Sequence, residues 1–175
     1  MTVEERVEFE ENQKKIEELL ERQKQLNPYY NLKLMSNKEF GEQWSESYIL
    51  SQCSNLQKDN SRGHDFYNKN FGRIEVKSSR LPNKGVTYNQ CHPYECEYFL
   101  FVNYNTIDGS EQIYFVPSEK ILDSDLFSIT KQHSRDEGTC YSMSGSTKKN
   151  KTSLGEFSFE NFFVLNNYLG SDNNK

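Results

Sequence analysis

The apolar pattern along the chain first indicates a helix in the region 36–52. Phe40, Trp44 and Tyr48 recur at four-residue spacing and would therefore share one face of a helix. A serine and a glutamate with the spacing of a capping box stand where this helix would begin. We therefore predict an α-helix that buries an aromatic face.

A sheet is predicted after this helix. Alternating residues indicate two short strands at 64–67 and 73–79, joined by a glycine-containing loop of hairpin length. A nearly continuous apolar stretch at 98–104 predicts a buried central strand, and 112–116 predicts its neighbour. The intervening segment 80–96, which contains two prolines and a glycine, is expected to be irregular.

The rest of the chain gives weaker patterns. A long charged helix is expected over residues 2–26, and a short helical turn is expected after Pro117. Short strands are expected near 126–130 and 139–143, and a final helix near 158–169.

This order of elements predicts an α+β (mixed α/β) fold, with a central mixed sheet flanked by helices. Residues 1–28 would form a charged helical arm, 29–170 one domain, and 171–175 a disordered tail. The arm has a thin, interrupted apolar stripe, which is typical of a solvated helix and leaves a dimer contact open.

Composition narrows the class of protein. The 12 Phe and 11 Tyr argue against disorder despite a mean hydropathy of -0.93. No apolar run approaches the length of a membrane span, so we expect a cytoplasmic protein without a membrane segment. The net charge of -5 is uneven, because residues 2–22 hold eight glutamates against four basic residues. Overall acidity therefore does not exclude binding to DNA.

The cysteines leave one alternative open. Cys91 and Cys96 are five apart with His92 between them, so a zinc site is conceivable. No second ligand pair at a zinc-finger spacing accompanies them, and ordinary reduced, packed cysteines are the expectation.

The segment 73–77 carries the candidate chemistry. Side chains alternate across a strand, so Glu75 and Lys77 would share one face while Ile74 and Val76 pack on the other. If the preceding strand pairs with it as a hairpin, Asp65 returns close to Glu75. Two carboxylates and one amine would then converge.

Such a group suits phosphodiester hydrolysis. Two carboxylates are a natural site for Mg²⁺, and a neighbouring lysine can orient a water and neutralise a phosphate under attack. The alternative is a solvated strand face with a weak ion pair.

Asp65, followed after nine residues by Glu75-Val-Lys77, resembles the PD-(D/E)XK nuclease motif, most closely that of type II restriction endonucleases. The segment 40–50 is similar to the first core helix of that superfamily, in which a Gly-Glu pair supplies a further acidic residue. The chain departs from the motif at His64, where the family name places a proline.

The resemblance implies roles for these residues. Asp65 and Glu75 would bind the metal, and Lys77 would be the catalytic lysine. The helical acidic residue would be Glu42, which would assist through a second metal ion or a bridging water, with Glu46 as the fallback. The family core would span 36 to about 125.

The resemblance also implies an activity: Mg²⁺-dependent cleavage of double-stranded DNA at a short specific site by a homodimer. The alternatives are a structure-specific repair or junction nuclease, and a non-catalytic nucleic-acid-binding or protein-interaction domain.

Polar residues outside the catalytic core are expected to contact DNA, because such side chains pair with base edges and phosphates. The candidates are Ser78, Ser79, Arg80, Lys84, Gln90, His92, Lys131, Gln132, His133, Arg135, Lys148 and Lys149.

Overall fold

The structure is a computed structural model that describes residues 1–59, 64–81, 86–122, 127–135, 138–145 and 154–171. Helices occupy the first part of the chain, six consecutive strands follow, and short helices and strands make up the rest, which confirms the α+β class. The described helices are α1 (Val3–Leu26), α2 (Tyr30–Leu34), a π segment (Glu39–Ser45), α3 (Glu46–Gln52), α4 (Ser118–Leu122), a 3₁₀ turn (Gly155–Phe157) and α5 (Phe162–Gly170).

Two sheets are present among the described residues. The main sheet has the order β1-β2-β3-β5-β6-β9, in which β3 and β5 are parallel and the other neighbours antiparallel. The second sheet has the order β4-β8-β7 and is antiparallel. The strands are β1 (Gln57–Lys58), β2 (Phe66–Asn68), β3 (Gly72–Leu81), β4 (Val86–Cys91), β5 (Tyr98–Asn105), β6 (Glu111–Pro117), β7 (Phe127–Arg135), β8 (Gly138–Gly145) and β9 (Ser158–Phe159).

Each face of the main sheet has its own apolar core. Alternate residues of β5 contribute to the two cores: Leu100 and Val102 belong to one core, and Phe99 and Phe101 belong to the other. The first core is shared with the helices, whereas the second is shared with the three-stranded sheet. β5 is thus buried on both faces, as its continuous apolar sequence predicted.

The aromatic helix face is also confirmed. Phe40 is buried and stacks on Trp44 with ring centroids 5.7 Å apart, and Trp44 stacks on Tyr48 at 5.0 Å. Tyr104 of β5 meets all three rings edge-on. These ring contacts fix the helical layer against the sheet.

The prediction of one regular helix over 36–52 was wrong in detail. The capping box at Ser36 and Glu39 is present, but the turns after it are π-helical and become α-helical only from Glu46. A π segment is a local widening of the helix that propensity and periodicity do not encode.

The prediction of an irregular segment at 80–96 was also wrong. β3 continues to Leu81, and β4 follows at Val86–Cys91. Val86, Tyr88 and Cys91 are buried, but polar residues between them hide the alternation. Two residues, rather than one, separate the buried Tyr88 and Cys91, which is the pattern of a β-bulge.

The end of the chain differs in a similar way. The predicted helix at 158–169 begins only at Phe162, after β9, and Asn161 caps it by accepting from the Val164 N–H. Gly170 is its last residue rather than its stop. Ser171 is hydrogen-bonded to Tyr168 and Asn70, and the rest of the predicted tail lies outside the described residues.

In the described part of the chain, no helix has both the length and the apolar character that crossing a bilayer requires.

Candidate active site

A tight hairpin brings Asp65 to the central strand. β2 and β3 pair antiparallel, and the Asn68 side chain accepts from the backbone N–H groups of Asn70 and Phe71 in the turn between them. Gly72 ends this turn with a φ of 78°, a backbone conformation that residues other than glycine rarely adopt.

Asp65 itself acts as an extension of β2. Its N–H donates to the carbonyl of Ile74 over 3.0 Å, and its carboxylate Oδ2 accepts from the N–H of Val76 over 2.8 Å. One carboxylate oxygen therefore serves the backbone of β3. The geometry confirms that the hairpin returns Asp65 to the strand that carries Glu75.

Glu75 and Lys77 share one face of β3, opposite the buried Ile74 and Val76. The Lys77 Nζ lies 2.6 Å from Glu75 Oε1, and the side chains are 18% and 17% exposed. The pair is therefore a buried ion pair rather than a solvated one. It points toward the second sheet, because its register partners on β5 are Phe99 and Phe101, which lie in that core.

Burial and neighbouring charges shift the pKa of both groups. Burial raises the pKa of Glu75 to about 7; Lys77 opposes this shift, and the carboxylates of Asp65 and Glu46 add to it. Burial alone would lower the pKa of Lys77, but the Glu75 carboxylate outweighs it and the pKa is raised. The lysine thus stays positive while Glu75 titrates near neutrality.

Of the two helical glutamates, Glu46 rather than Glu42 is buried. Glu42 is exposed, and its carboxylate lies 3.9 Å from Lys38 one turn away. Glu46 is buried, forms an ion pair with Lys58 of β1, and has a pKa raised by burial and by Asp65. The burial and the charge partners thus favour the fallback residue Glu46 over Glu42 as the helical acidic residue.

Ser45 joins the helical layer to β3 beside this group. Its buried hydroxyl hydrogen-bonds to the Ser78 hydroxyl and donates to Tyr104 Oη over 3.3 Å. Since Ser45 ends the π segment and Glu46 begins α3, these bonds fix the face that Glu46 presents.

The donor set suits a hard divalent cation. Asp65 and Glu75 offer carboxylate oxygens on neighbouring backbone segments, and the Asp65 carboxylate adds to the raised pKa of Glu75. Among the described residues, no group of three or more His, Cys, Asp and Glu side chains is close enough to hold a metal. A cation bound by these two carboxylates would therefore keep water or phosphate oxygens as its other ligands, as Mg²⁺ commonly does.

His64 occupies the place of the motif's proline. Its Nε2 lies 3.0 Å from Asp59 Oδ2, and its Nδ1 is the one buried side-chain atom without a hydrogen-bond partner in the described part of the chain. The sequence drew attention to His64 only as a departure from the motif. Nothing in the sequence pairs it with Asp59, or Lys58 with Glu46, because these contacts depend on β1 lying beside β2.

A cleft of about 420 Å³ opens beside Lys77. Ser78 and Ser79 line it from β3, and Asn89 and Gln90 line it from β4. Gln90 has a φ of 57°, unlike any other non-glycine residue in the described ranges, and the pairing of β4 with β8 shifts register at the same point. A bulge with a strained backbone thus presents two exposed amide side chains to the cleft.

Arg80, a predicted DNA contact, lines the cleft and directs its guanidinium to partners within the protein. Its guanidinium donates to the carbonyls of Leu32 and Met35 and to Asn37 Oδ1, over 2.9, 2.6 and 2.6 Å. It also lies 4.9 Å from the centre of the Phe40 ring. Arg80 therefore ties the α2 region to β3 and is engaged within the protein.

The other predicted DNA contacts have different positions. Ser79 and Gln90 line the cleft, Ser78 is engaged with Ser45, and His92 is half-buried just after β4. The residues predicted from the second half of the chain lie on β7, a strand of the second sheet: Lys131, Gln132, His133 and Arg135. Lys84, Lys148 and Lys149 lie outside the described residues.

All four cysteines are buried free thiols, in agreement with the prediction of reduced, packed cysteines. Burial raises the pKa of Cys91 and of Cys96 to about 12, so both remain protonated near neutrality.

The Glu75 pKa predicts how stability depends on pH. The unfolded chain ionises near pH 4.5 and the folded chain near pH 7, so the folded state binds the proton more tightly. The contribution of Glu75 to the free energy of unfolding is largest below pH 4.5 and is lost as the pH rises from 4.5 to about 7. In metal-free buffer, urea unfolding of the wild type should lose about 1–3 kcal/mol more between pH 4.5 and 7.5 than Glu75→Gln does. Equal losses in both proteins would contradict the assignment.

Comparison with known proteins adds no relative to this picture. No protein-family model matches the chain, and no curated protein matches it with significant similarity.

Proposed function

We propose that this chain is a Mg²⁺-dependent endodeoxyribonuclease that hydrolyses phosphodiester bonds in double-stranded DNA, as a type II restriction endonuclease does. The observation that carries the proposal is that Asp65 is hydrogen-bonded to the strand on which Glu75 and Lys77 form a buried pair, and that Lys77 lines a cleft. A solvated strand face would leave these charges exposed, whereas Glu75 and Lys77 are each less than one-fifth exposed.

The residues have distinct roles in this proposal. Asp65 and Glu75 would hold Mg²⁺, which when bound lowers the pKa of a water and stabilises charge on the phosphate. Lys77 orients the attacking water and keeps a positive charge beside the phosphate oxygens. Glu46 adds a third carboxylate on the helical side and fixes Lys58 through their ion pair.

The cleft supports DNA as the substrate. Its lining near Lys77 consists of hydroxyl and amide side chains, which hydrogen-bond to phosphates and base edges. Asn89 and Gln90 carry the amide group that pairs with adenine in two hydrogen bonds. We therefore propose the β4 bulge as an element that reads bases next to the cut.

Cleavage of both strands at a symmetric site requires two such centres, so a homodimer belongs to the proposal. Its location would be the cytoplasm, where a restriction endonuclease meets foreign DNA.

The decisive test is digestion of phage and plasmid DNA by the wild type and by Lys77→Ala, with and without Mg²⁺. We expect discrete Mg²⁺-dependent fragments from the wild type and a loss of on the order of a hundred- to a thousand-fold in the variant. Lys120→Ala, at an exposed lysine of α4, serves as the matched control and should cleave normally. Equal activity in Lys77→Ala would remove Lys77 from the chemistry. Cleavage only of branched DNA would replace restriction by a structure-specific nuclease.

The two helical glutamates provide a second comparison. Glu46→Gln should lower the cleavage rate by about ten- to a hundred-fold, because it removes a carboxylate beside the metal ligands and frees Lys58. Glu42→Gln changes an exposed group and should leave the rate unchanged. Rates should be compared at saturating Mg²⁺ and again across a Mg²⁺ titration. A large effect from Glu42 with none from Glu46 would reverse our assignment.

The bulge gives a third comparison. Gln90→Gly relieves the positive φ and should raise stability by about 1 kcal/mol, whereas Gln90→Ala keeps the strain. Both variants lose the amide and should discriminate less between the recognised site and sites with one altered base, by about 1–3 kcal/mol. Thermal unfolding and cleavage of single-base variants measure the two effects. Unchanged discrimination in both variants would exclude Gln90 as a base-reading residue.

A further inference from the structure

α1 is a helix that the rest of the chain does not cover. It spans the 24 residues Val3–Leu26, and none of its residues, all of which the structure describes, is buried. It is anchored at its end, where Asn27 Nδ2 donates to the Thr106 carbonyl over 2.7 Å. A single uncovered helix gains little stability in water from propensity alone, because most helical stability in proteins comes from packing.

One side of α1 carries the pattern of a coiled-coil seam. Phe9 and Ile16 occupy a positions and Leu19 and Leu26 occupy d positions of successive heptads, and the four are 50–68% exposed. Between Phe9 and Leu26 the two remaining seam positions are Asn12 and Gln23, and the next position toward the start of α1 is the charged Glu5. The outer apolar residues Val3 and Val7 lie on the opposite side of the helix.

The order of residues along the seam is symmetric about its centre. From Phe9 to Leu26 the seam is apolar, amide, apolar, apolar, amide, apolar. Antiparallel helices pair each a position with a d position. Two copies aligned about the centre of this seam would place Phe9 on Leu26, Ile16 on Leu19, and Asn12 on Gln23.

We propose that α1 pairs antiparallel with α1 of a second copy of this chain, through that seam. The amide layers are then buried against each other rather than against apolar residues, and a polar layer of this kind fixes register. This inference rests on α1 alone and does not depend on the nuclease proposal.

Charge favours the antiparallel arrangement over a parallel one. Residues 3–14 hold five glutamates against Arg6 and Lys14, whereas 15–26 hold three glutamates against three basic residues. Parallel helices would set the two acidic halves side by side, and like charges across a seam are destabilising. Antiparallel helices place each acidic half beside a neutral one and also oppose the two helix dipoles.

A groove at the foot of α1 fits the same partner. It has a volume of about 380 Å³, and Gln23, Asn27, Tyr30 and Lys33 are among the residues that line it. In the antiparallel pair, the first turns of the partner helix reach this end of α1. Those turns are acidic, so they meet the Lys33 side of the groove with opposite charge.

Sedimentation of the full chain tests the seam. The wild type should be a dimer at about 50 μM, and Leu19→Glu should be monomeric because it buries a charge between the helices. Val7→Glu is the matched control, since Val7 is an exposed apolar residue of the same helix that lies off the seam, and it should remain dimeric. Near-ultraviolet circular dichroism shows whether the domain that follows α1 remains folded in each variant. A monomeric wild type, or a Leu19→Glu dimer as stable as the wild type, would overturn the proposal.

Disulfide trapping tests the orientation. A mixture of Asn12→Cys and Gln23→Cys chains should form a covalent dimer on mild oxidation, whereas Asn12→Cys alone should form little, because its two copies would lie about 16 Å apart. The natural cysteines are buried and should not contribute. Efficient linkage of Asn12→Cys alone would mean a parallel pair and would overturn the antiparallel assignment. Neither result depends on whether DNA is cut.

Discussion

The ion pair between Glu75 and Lys77 is the constraint around which the site is built. Two charges on the inner face of a sheet are costly to desolvate, and only their mutual attraction and good geometry offset that cost. Breaking such a pair by removing one partner leaves a buried charge, at a cost of about 3–5 kcal/mol. The fold must therefore keep the strand, its neighbours and both side chains in one fixed arrangement.

Several elements contribute to that arrangement. β5 runs parallel to β3 and places the buried Phe99 and Phe101 in register with the pair. Asp65 accepts a hydrogen bond from the backbone of β3 just before β2 begins, and Ser45 ties the helical layer to Ser78 on the same strand. None of these contacts requires a bound ligand. Contacts within the protein therefore hold the carboxylates of Asp65 and Glu75 in place.

Local sequence predicted the part of this site that lies within one hairpin. The alternation around Glu75 fixed which residues share a face, and the loop length predicted that Asp65 would return. Contacts between distant segments were not predictable in the same way. The sequence did not distinguish Glu46 from Glu42, because the π segment and the ion pair between Glu46 and Lys58 of β1 arise only in the folded chain. Arg80 looked like a surface cation because nothing local shows that two carbonyls near α2 come within its reach.

The π segment ahead of Glu46 makes the site sensitive to chain length rather than only to residue type. A π-helical turn takes up more residues than an α-helical turn over the same path, and such segments frequently occur at functional sites. If the same residues wound as a regular α-helix, everything after Ser45 would be rotated by about 100°, and Glu46 would leave Lys58 although no residue had changed. Loss of one residue between Glu39 and Ser45 would instead restore regular winding and leave Glu46 on its present face. Among related chains, a one-residue difference in length here would therefore mark the gain or loss of the wide turn rather than the loss of the carboxylate.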